Sequence, residues 1–151
     1  MRDIALILKN DIFDIEIQGP DLASDDGLEN ALTISIFTDA RVSEDQLPYG
    51  STKRRGWWGD MFPEVPGDKI GSRLWTINPG KVTNEKLREA IDYCTESTKW
   101  LIDDGIADTI NFTTEYNENK HLNIGIEVVR PGESAPSKYQ VIWDAQKVRR
   151  I

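Results

Sequence analysis

A β-hairpin is predicted near the start of the chain, over residues 3–18. Apolar residues occupy alternate positions in its first half, as in a half-buried strand, and a second apolar series follows the turn-forming pair Asn10-Asp11. The first series is Ile4, Leu6 and Leu8, and the second is Ile12, Phe13, Ile15 and Ile17. Gly19-Pro20 is expected to end this hairpin.

The strongest helical pattern runs from about Glu85 to Asp104. Its apolar positions follow the i, i+3, i+4, i+7 spacing of one helix face and are Leu87, Ala90, Ile91, Cys94, Thr98, Leu101 and Ile102. Asn84 suits the N-cap, and Gly105 suits the left-handed residue that ends many helices. The pattern therefore predicts an amphipathic helix whose apolar face is directed into the core.

Three strands are predicted after this helix, over residues 106–116, 121–130 and 138–144. Apolar residues alternate with polar ones in the first two strands, at Ile110 and Phe112 and then at Leu122, Ile124, Ile126 and Val128. The polar residues 117–120 and the segment from Pro131 to Pro136 provide turns. These features predict a three-stranded antiparallel meander packed on the helix.

The middle of the chain has no single local pattern. In residues 28–38, Leu32, Ile34 and Ile36 alternate as in a strand. The same segment also traces one side of a helix, through Leu28, Ala31, Leu32, Ser35 and Ile36, with Asp25 or Asp26 as an N-cap. Residues 40–79 are rich in glycine, proline and charge and are predicted to form a long loop, which in a compact domain is usually functional or disordered.

Composition indicates one domain over residues 1–151 and removes most catalytic architectures. Cys94 is the only cysteine and His121 the only histidine, and both are expected to be structural, so we predict no catalytic residue, metal ligand or cofactor. Asp25-Asp26, Glu44-Asp45 and Asp103-Asp104 are adjacent acids of the kind found on surfaces. Apolar runs are too short to span a bilayer or to form a signal peptide, so no membrane insertion is expected.

The net charge of −8 is unevenly distributed. Residues 1–50 carry a net charge of −8, residues 51–80 carry +2, and the remainder carries −2. An acidic region next to a basic, aromatic one suits oriented docking with a protein, although it also fits a surface that serves only solubility. Nucleic-acid binding is not expected, because the phosphates would repel most of this surface.

The loop contains the most unusual motif of the chain, Arg54-Arg55-Gly56-Trp57-Trp58-Gly59-Asp60. Tryptophan and arginine are enriched at interface hot spots, so the motif is predicted to bind a partner. Two other interpretations are a lid over the protein's own apolar edge and a platform that stacks sugars. The apolar turns at Trp57-Trp58, Met61-Phe62, Ile70 and Leu74-Trp75 argue against simple disorder.

Three further segments accompany this motif: residues 30–39, Gly71-Ser72-Arg73-Leu74-Trp75 and residues 100–105. With these four segments, the chain resembles the gene product forty-six family of Mu-like phage and prophage baseplate proteins. The resemblance covers nearly the whole chain. That family looks distantly similar to protein W and the sheath-initiator proteins of contractile tails. The resemblance implies a helix at residues 28–38 and a non-enzymatic wedge component beside the tail hub. Sheath-initiator proteins usually end the following helix with Glu-Pro-Arg, where this chain has Ile102-Asp103-Asp104-Gly105.

The resulting prediction is an α+β protein: an N-terminal β-hairpin, a helix, a long aromatic loop, and an amphipathic helix on a C-terminal three-stranded meander. The expected function is phage baseplate assembly in the virion, with other baseplate and tail-hub proteins as partners and self-association left open. The predicted partner-binding residues are Arg54, Arg55, Trp57, Trp58, Asp60, Arg73 and Trp75. The rival hypotheses are a small peptidoglycan hydrolase that uses Asp60 and Glu64, and a carbohydrate-binding module.

Overall fold

Six short strands form an N-terminal arm, which comprises residues 3–25. In this computed structural model, which describes residues 3–9, 12–77, 83–143 and 147–150, they are β1 Asp3–Ile4, β2 Leu6–Lys9, β3 Ile12–Ile15, β4 Ile17–Gln18, β5 Asp21–Leu22 and β6 Ser24–Asp25. Strand β2 pairs antiparallel with β3, which confirms the hairpin, although its predicted turn at Asn10-Asp11 lies outside the described residues. The pairing does not end at Gly19-Pro20 as expected, because β5 pairs with β4 and β6 returns to β1.

Residues Leu28–Phe37 form helix α1, in agreement with the family resemblance. Leu28, Leu32 and Ile36 are buried at four-residue intervals, whereas Ile34 is 41% exposed. A strand would have placed Ile34 on the same face as Leu32 and Ile36, so the burial pattern matches helical periodicity. The N-cap is Gly27 rather than either predicted aspartate, but an Asp26 carboxylate oxygen accepts a hydrogen bond from the Leu28 amide at 3.2 Å.

Helix α2 spans Asn84–Asp103, close to the predicted bounds. Its N-cap is Thr83 and not Asn84: the Thr83 hydroxyl accepts a hydrogen bond from the Lys86 amide at 3.3 Å. Gly105 adopts φ 69°, and this left-handed residue follows the last turn as the sequence predicted.

Strands β7 Thr109–Tyr116, β8 Leu122–Val129, β9 Ser137–Ile142 and β10 Lys147–Arg150 form an antiparallel sheet in the order β10-β9-β8-β7. The three predicted strands are present, and β10 extends the meander by a fourth. Asp144, the predicted end of the third strand, lies outside the described residues. The side chains of β8 alternate between buried and half-buried along its whole length, which fits one face directed towards the core.

Both helices pack on the same face of this sheet, with α2 against β7 and α1 against β10. The core contains mainly aliphatic side chains from α1, α2, β8 and β9: Leu28, Leu32, Ile36, Ala90, Cys94, Leu101, Leu122, Ile124, Ile126, Val128, Tyr139 and Val141. The α+β fold class is confirmed.

The buried stripe of α2 differs from the predicted one. Its buried residues are Ala90, Cys94, Ser97, Thr98 and Leu101. Ile91 is only half-buried and Ile102 is 43% exposed, so these two positions were assigned wrongly to the core. Each follows a buried residue directly, and one residue corresponds to about 100° of rotation around the helix axis. The stripe is therefore centred on Cys94 and Leu101, and Ile91 and Ile102 flank it.

Candidate functional site

The loop of residues 38–77 is fixed to the end of α1 by a short parallel bridge between Asp39 and Ser72. The Ala40 amide donates to the Ser72 carbonyl at 3.0 Å, and the Ser72 amide donates to the Thr38 carbonyl at 2.8 Å. Gly71 makes this approach sterically accessible, because a Cβ there would lie 2.5 Å from the Thr38 carbonyl oxygen. Gly71 also has φ 104°, which L side chains rarely adopt.

Trp75 also stabilises the contact between the end of α1 and Ser72. Its indole nitrogen donates a hydrogen bond to the Ala40 carbonyl at 2.8 Å, so the half-buried ring has its polar atom satisfied. The Arg55 guanidinium lies over the Trp75 ring at 4.5 Å from its centroid, within the range of a cation–π interaction. Arg55 also pairs with the Asp39 carboxylate at 2.8 Å, and its backbone has a positive φ of 49°.

A second contact joins residues 41–42 to residues 54–56. The Val42 amide donates to the Arg54 carbonyl at 3.1 Å, and the Arg54 side chain returns a hydrogen bond to the Val42 carbonyl at 2.7 Å. Gly56 has φ 103°, and a Cβ there would be 2.6 Å from the Cβ of Arg41. Four basic residues consequently lie side by side, and we call Arg41, Lys53, Arg54 and Arg55 the basic strip.

Arg73 connects the loop to helix α2. Its side-chain nitrogen Nε donates to a Glu96 carboxylate oxygen at 2.9 Å, and its guanidinium lies 4.5 Å from the centroid of the Tyr93 ring. The preceding Ser72 is buried, and its hydroxyl accepts from the Leu74 amide at 3.1 Å to begin the 3-10 helix Arg73–Thr76. Arg73 is therefore a link between the loop and α2.

Five neighbouring apolar side chains of the loop are exposed, and we call them the tryptophan knob: Trp57 at 46%, Trp58 at 71%, Met61 at 69%, Phe62 at 76% and Val65 at 64% exposure. The 3-10 helix Trp58–Met61 begins this segment. Trp57 covers the backbone of the buried Gly59, where a Cβ would lie 2.2 Å from the indole ring. The two tryptophan rings lie 5.5 Å apart at an angle of 46°.

Asp60 stabilises the base of the knob. Its carboxylate accepts a hydrogen bond from the Ile70 amide at 3.1 Å, which connects the two ends of residues 60–70. Glu64, the other acid of the hydrolase hypothesis, is exposed. Within the described residues, no group of three His, Cys, Asp or Glu side chains is placed to hold a metal ion.

The seven predicted partner-binding residues thus fall into two groups. Five of them make side-chain hydrogen bonds within the chain: Arg54, Arg55, Asp60, Arg73 and Trp75. Trp57 and Trp58 are exposed, as the interface hypothesis requires and the lid hypothesis does not. Partner binding itself stays a prediction. Met61 and Phe62 were noted as an apolar turn but not predicted as site residues, and Val65 was missed, although it lies between Pro63 and Pro66 in an otherwise polar segment.

Cys94 and His121 lie outside the loop, in α2 and in the turn before β8. Cys94 is fully buried in α2, and burial raises the pKa of its thiol to about 12, far above the range in which a nucleophilic thiolate forms. His121 precedes β8 at the turn, where its amide donates to the Asn117 side chain at 2.8 Å. Among the described residues, no helix combines the length and the apolar character that crossing a bilayer requires.

Comparison with known proteins identifies the class of this chain and then its family. The model of the family described as Phage protein GP46 matches residues 28–135, from the start of α1 to the turn after β8. The baseplate protein gp46 of Escherichia phage Mu is 38% identical over 146 residues, which are 95% of this chain and 99% of that protein. The Mu-like prophage FluMu protein gp46 of Haemophilus influenzae is 34% identical over 144 residues, 95% of this chain and 98% of its own length.

These similarities assign the chain to a class of phage and prophage proteins. The chain belongs to the GP46 family. The family predicted from the aromatic loop motifs is confirmed.

Proposed function

We propose that this chain is a structural component of a phage contractile-tail baseplate and that it acts through protein–protein contacts, without catalysis. The observation that carries the proposal is its similarity to the Mu baseplate protein gp46 along almost the full length of both chains. Its place is the virion tail, and its partners are other baseplate and tail-hub proteins.

The tryptophan knob is the contact surface in this proposal. Clustered exposed apolar side chains are costly in water and mark interaction sites on soluble proteins. Tryptophan, phenylalanine and methionine are enriched at interfaces, because they bury a large area in a partner's pocket. The surrounding contacts of Arg55, Asp60 and Trp75 support the proposal, since a pre-ordered loop loses little further conformational entropy when it binds.

The test combines Trp58→Ala with Phe62→Ala, the two most exposed ring side chains of the knob. The double variant is expected to fold, because both rings are largely in water already. Its incorporation into tails is expected to fall at least tenfold, since each truncated hot spot costs about 2 kcal/mol or more. Incorporation is measured by immunoblotting of purified particles, and folding by thermal denaturation of the isolated chain.

Tyr49→Ala is the matched control, because Tyr49 is a fully exposed aromatic residue of the same loop outside the knob. It should assemble like the wild type. Normal assembly of the knob variant would exclude the knob as a contact surface. Absence of the wild-type chain from purified tails would reject the baseplate role altogether.

The two rival functions have direct assays. The wild-type chain is expected to give no clearing of cell wall in a zymogram and no signal on a glycan array. Clearing that disappears in Asp60→Asn or Glu64→Gln would support the hydrolase. Glycan binding that disappears in the Trp58 variant would support the carbohydrate-binding module.

A further inference from the structure

The two edges of the sheet differ in length and charge. Among the described residues, β10 forms one edge and β7 the other, since each pairs with a single strand. Strand β10 has four residues, three of them basic, and short or charged edges resist pairing with further strands. Strand β7 has eight residues, contains no proline or lysine, and has Glu115 as its one charged residue. Most of its residues are β-branched or aromatic, the types that favour strands.

Alternate amides of β7 are directed away from β8. At the turn that follows, the Asn117 amide donates to the His121 carbonyl at 3.0 Å, in register with the β7–β8 pairing. Amide direction alternates along a strand, so the odd-numbered residues of β7 bond to β8 and the even-numbered ones face the free edge. The edge-facing amides are those of Ile110, Phe112, Thr114 and Tyr116. Strand β7 therefore presents a row of donors and acceptors that a further strand can complete.

Helix α2 borders this edge with one of its two flanks. The other flank faces α1 and the loop, since Trp100 donates to the Ser35 hydroxyl at 2.9 Å and the Arg73 guanidinium lies over the Tyr93 ring. Because α1 packs on β10 and α2 on β7, the opposite flank points past the free edge of β7. At 100° per residue, this flank, which we call the outer flank, carries Arg88, Ile91, Asp92, Thr95, Lys99 and Ile102.

The outer flank and β7 leave apolar side chains partly in water. Ile102 is 43% exposed and Ile91 is half-buried, although the periodicity of α2 assigned both to the core. Ile110 and Phe112 of β7 are also half-buried, whereas the inward side chains of the central strand β8 are buried. A further layer beside β7 would complete the burial of these residues.

We propose that two copies of this chain associate through their β7 edges about a two-fold axis. The two sheets then join into one continuous antiparallel sheet, and the outer flanks of the two α2 helices lie side by side above it. This inference goes beyond the proposed function and does not depend on the tryptophan knob. A two-fold contact uses the same surface on both copies, so that surface must be complementary to itself.

The charges of α2 are complementary to those of a second, antiparallel α2. About an axis just after Thr95, Arg88 and Asp103 of the other copy lie equally far from the axis. Asp92 and Lys99 are related in the same way, and all four charged residues are exposed. Each pair joins opposite charges and forms twice, which favours this orientation. A parallel arrangement would place every charged residue beside its own copy.

Strand β7 is also compatible with its own copy. An axis at Asn111 pairs Ile110 with Phe112 of the other copy on the inward face. Apolar and aromatic cross-strand pairs stabilise sheets, whereas like charges directly opposite each other destabilise them. Glu115 lies four residues from this axis and does not face its counterpart.

The helix layer and the sheet have similar widths, so both can continue into a second copy. Four strands about 4.8 Å apart span about 19 Å. Two packed helices with axes about 10 Å apart span about 20 Å. Joining two copies at β7 therefore brings the two α2 helices to an ordinary packing distance.

Substitutions of Asn111 test the pairing directly, because its exposed side chain lies at the proposed axis. Sedimentation velocity of the wild type is expected to show a dimer whose fraction increases with protein concentration. Asn111→Lys and Asn111→Glu should each weaken association at least tenfold, since each places two like charges opposite each other. Thermal denaturation should show that both variants fold. A wild type that sediments as a monomer at every concentration would overturn the proposal.

A one-to-one mixture of the Asn111→Lys and Asn111→Glu variants is the decisive sample. Opposite charges then meet at the axis, so the mixture should form a heterodimer although neither variant associates well alone. Gln18→Lys and Gln18→Glu are the matched controls, because Gln18 is an exposed residue of the N-terminal arm, and each should associate like the wild type. Failure of the mixture to associate, or equal weakening by the controls, would contradict the pairing at β7.

Amide hydrogen exchange followed by NMR identifies the strand that forms the contact. The edge-facing amides of Ile110 and Phe112 should exchange at least tenfold more slowly in concentrated than in dilute samples, because the second copy supplies their acceptors. The amides of Thr113 and Glu115, which face β8, should be protected at both concentrations. Association without slower exchange at Ile110 and Phe112 would place the contact elsewhere and overturn the proposal.

Charge reversal tests the antiparallel placement of the two α2 helices. Arg88→Glu and Asp103→Lys should each weaken association several-fold at low salt and have little effect at high salt, because exposed charges are screened. A chain that carries both substitutions should associate like the wild type, since each pair is only reversed. No recovery in the double variant would contradict the antiparallel contact.

The knob variant separates this inference from the proposed function. Trp58→Ala with Phe62→Ala should dimerise like the wild type, because neither residue lies on β7 or α2. Loss of dimerisation in that variant would assign self-association to the knob and overturn the pairing at β7. A strictly monomeric wild type that still enters tails would leave the proposed function intact and remove only this inference.

Discussion

The helix–sheet layer and the loop of residues 38–77 are held in shape by different interactions. In the layer, aliphatic side chains of two helices and of the strands β8 and β9 are almost completely removed from water. In the loop, Val42, Leu74 and Ile77 are the buried large apolar residues, while its largest apolar surfaces are exposed. The loop relies on backbone hydrogen bonds, the Arg55 and Arg73 contacts, and close approaches at glycine.

This difference shows how a long loop can be ordered and still leave hydrophobic groups for other molecules. Burial stabilises a structure roughly in proportion to the apolar area removed from water, so the layer uses its apolar residues for its own stability. Hydrogen bonds and cation–π contacts fix the path of the loop with polar groups instead. The comparison predicts large stability effects in the layer, intermediate effects at the loop glycines, and small effects in the knob.

The largest effect is expected for Leu101→Ala in α2. Leu101 is fully buried, and its truncation should lower the free energy of unfolding by about 2–5 kcal/mol through lost contacts and a residual cavity. The neighbouring Ile102→Ala, at a position 43% exposed, should cost less than about 1 kcal/mol. Chemical denaturation measures both. Equal losses would place the buried stripe of α2 where the sequence first predicted it.

Gly71→Ala should have the next largest effect. A Cβ there combines an unfavourable φ of 104° with a 2.5 Å approach to the Thr38 carbonyl, so a loss of about 2 kcal/mol or more is expected. Gly67→Ala is the control, because Gly67 has φ 88° but open space around it, and its cost should be about 1 kcal/mol. Thermal or chemical denaturation of the two variants isolates the contribution of the close approach, and identical costs would argue that the bridge to Thr38 can shift freely.

The two tryptophans of the knob should differ from each other. Trp57→Ala uncovers the buried Gly59 and should lower stability by on the order of 1 kcal/mol. Trp58→Ala removes a ring that is 71% exposed and should change stability by less than about 0.5 kcal/mol. Thermal denaturation distinguishes the two variants. A large loss for Trp58→Ala would mean that the knob stabilises the fold, as the lid hypothesis holds.

Ionisation of the Cys94 thiol should not affect stability near neutral pH, but it should lower stability in alkali. Burial raises the pKa of the folded thiol from 9.0 to about 12, so the unfolded chain loses this proton first as pH rises. The contribution to stability is therefore complete below pH 9 and is lost between pH 9 and about 12. At neutral pH the native thiol should resist a disulfide reagent until denaturant is added. Rapid reaction of the native protein would show that Cys94 is accessible.

Local patterns predicted α2 and the strands β7 to β9 with small errors at their ends. Helix and strand periodicity is written into consecutive residues, and short turns force neighbouring strands to pair. Strand β10 was missed, because a short charged segment carries no alternation that marks it as paired. The cap of α2 fell on Thr83 instead of Asn84, since both residue types accept the same hydrogen bond and only the backbone geometry selects one.

The sequence located the segment that forms the candidate site but did not predict the contacts within it. Sequence motifs identified the loop with its tryptophans and arginines, and the family resemblance gave its context. The motifs did not show that Arg55 lies on Trp75 or that Asp60 accepts from Ile70, because these contacts join residues 10 or more positions apart in an irregular chain. Exposure of Trp58 and burial of Leu74 likewise depend on how the loop is folded back on itself.

The sequence by itself determined the family, the amphipathic helix α2 and the alternating strands, because each depends on residue order within a short window. The tertiary structure decided the state of residues 28–37, where helix and strand patterns coexist and burial of Leu28, Leu32 and Ile36 against the sheet selects the helix. It also decided which side chains of the aromatic loop face inward. That choice depends on contacts between distant parts of the chain, which no local pattern encodes.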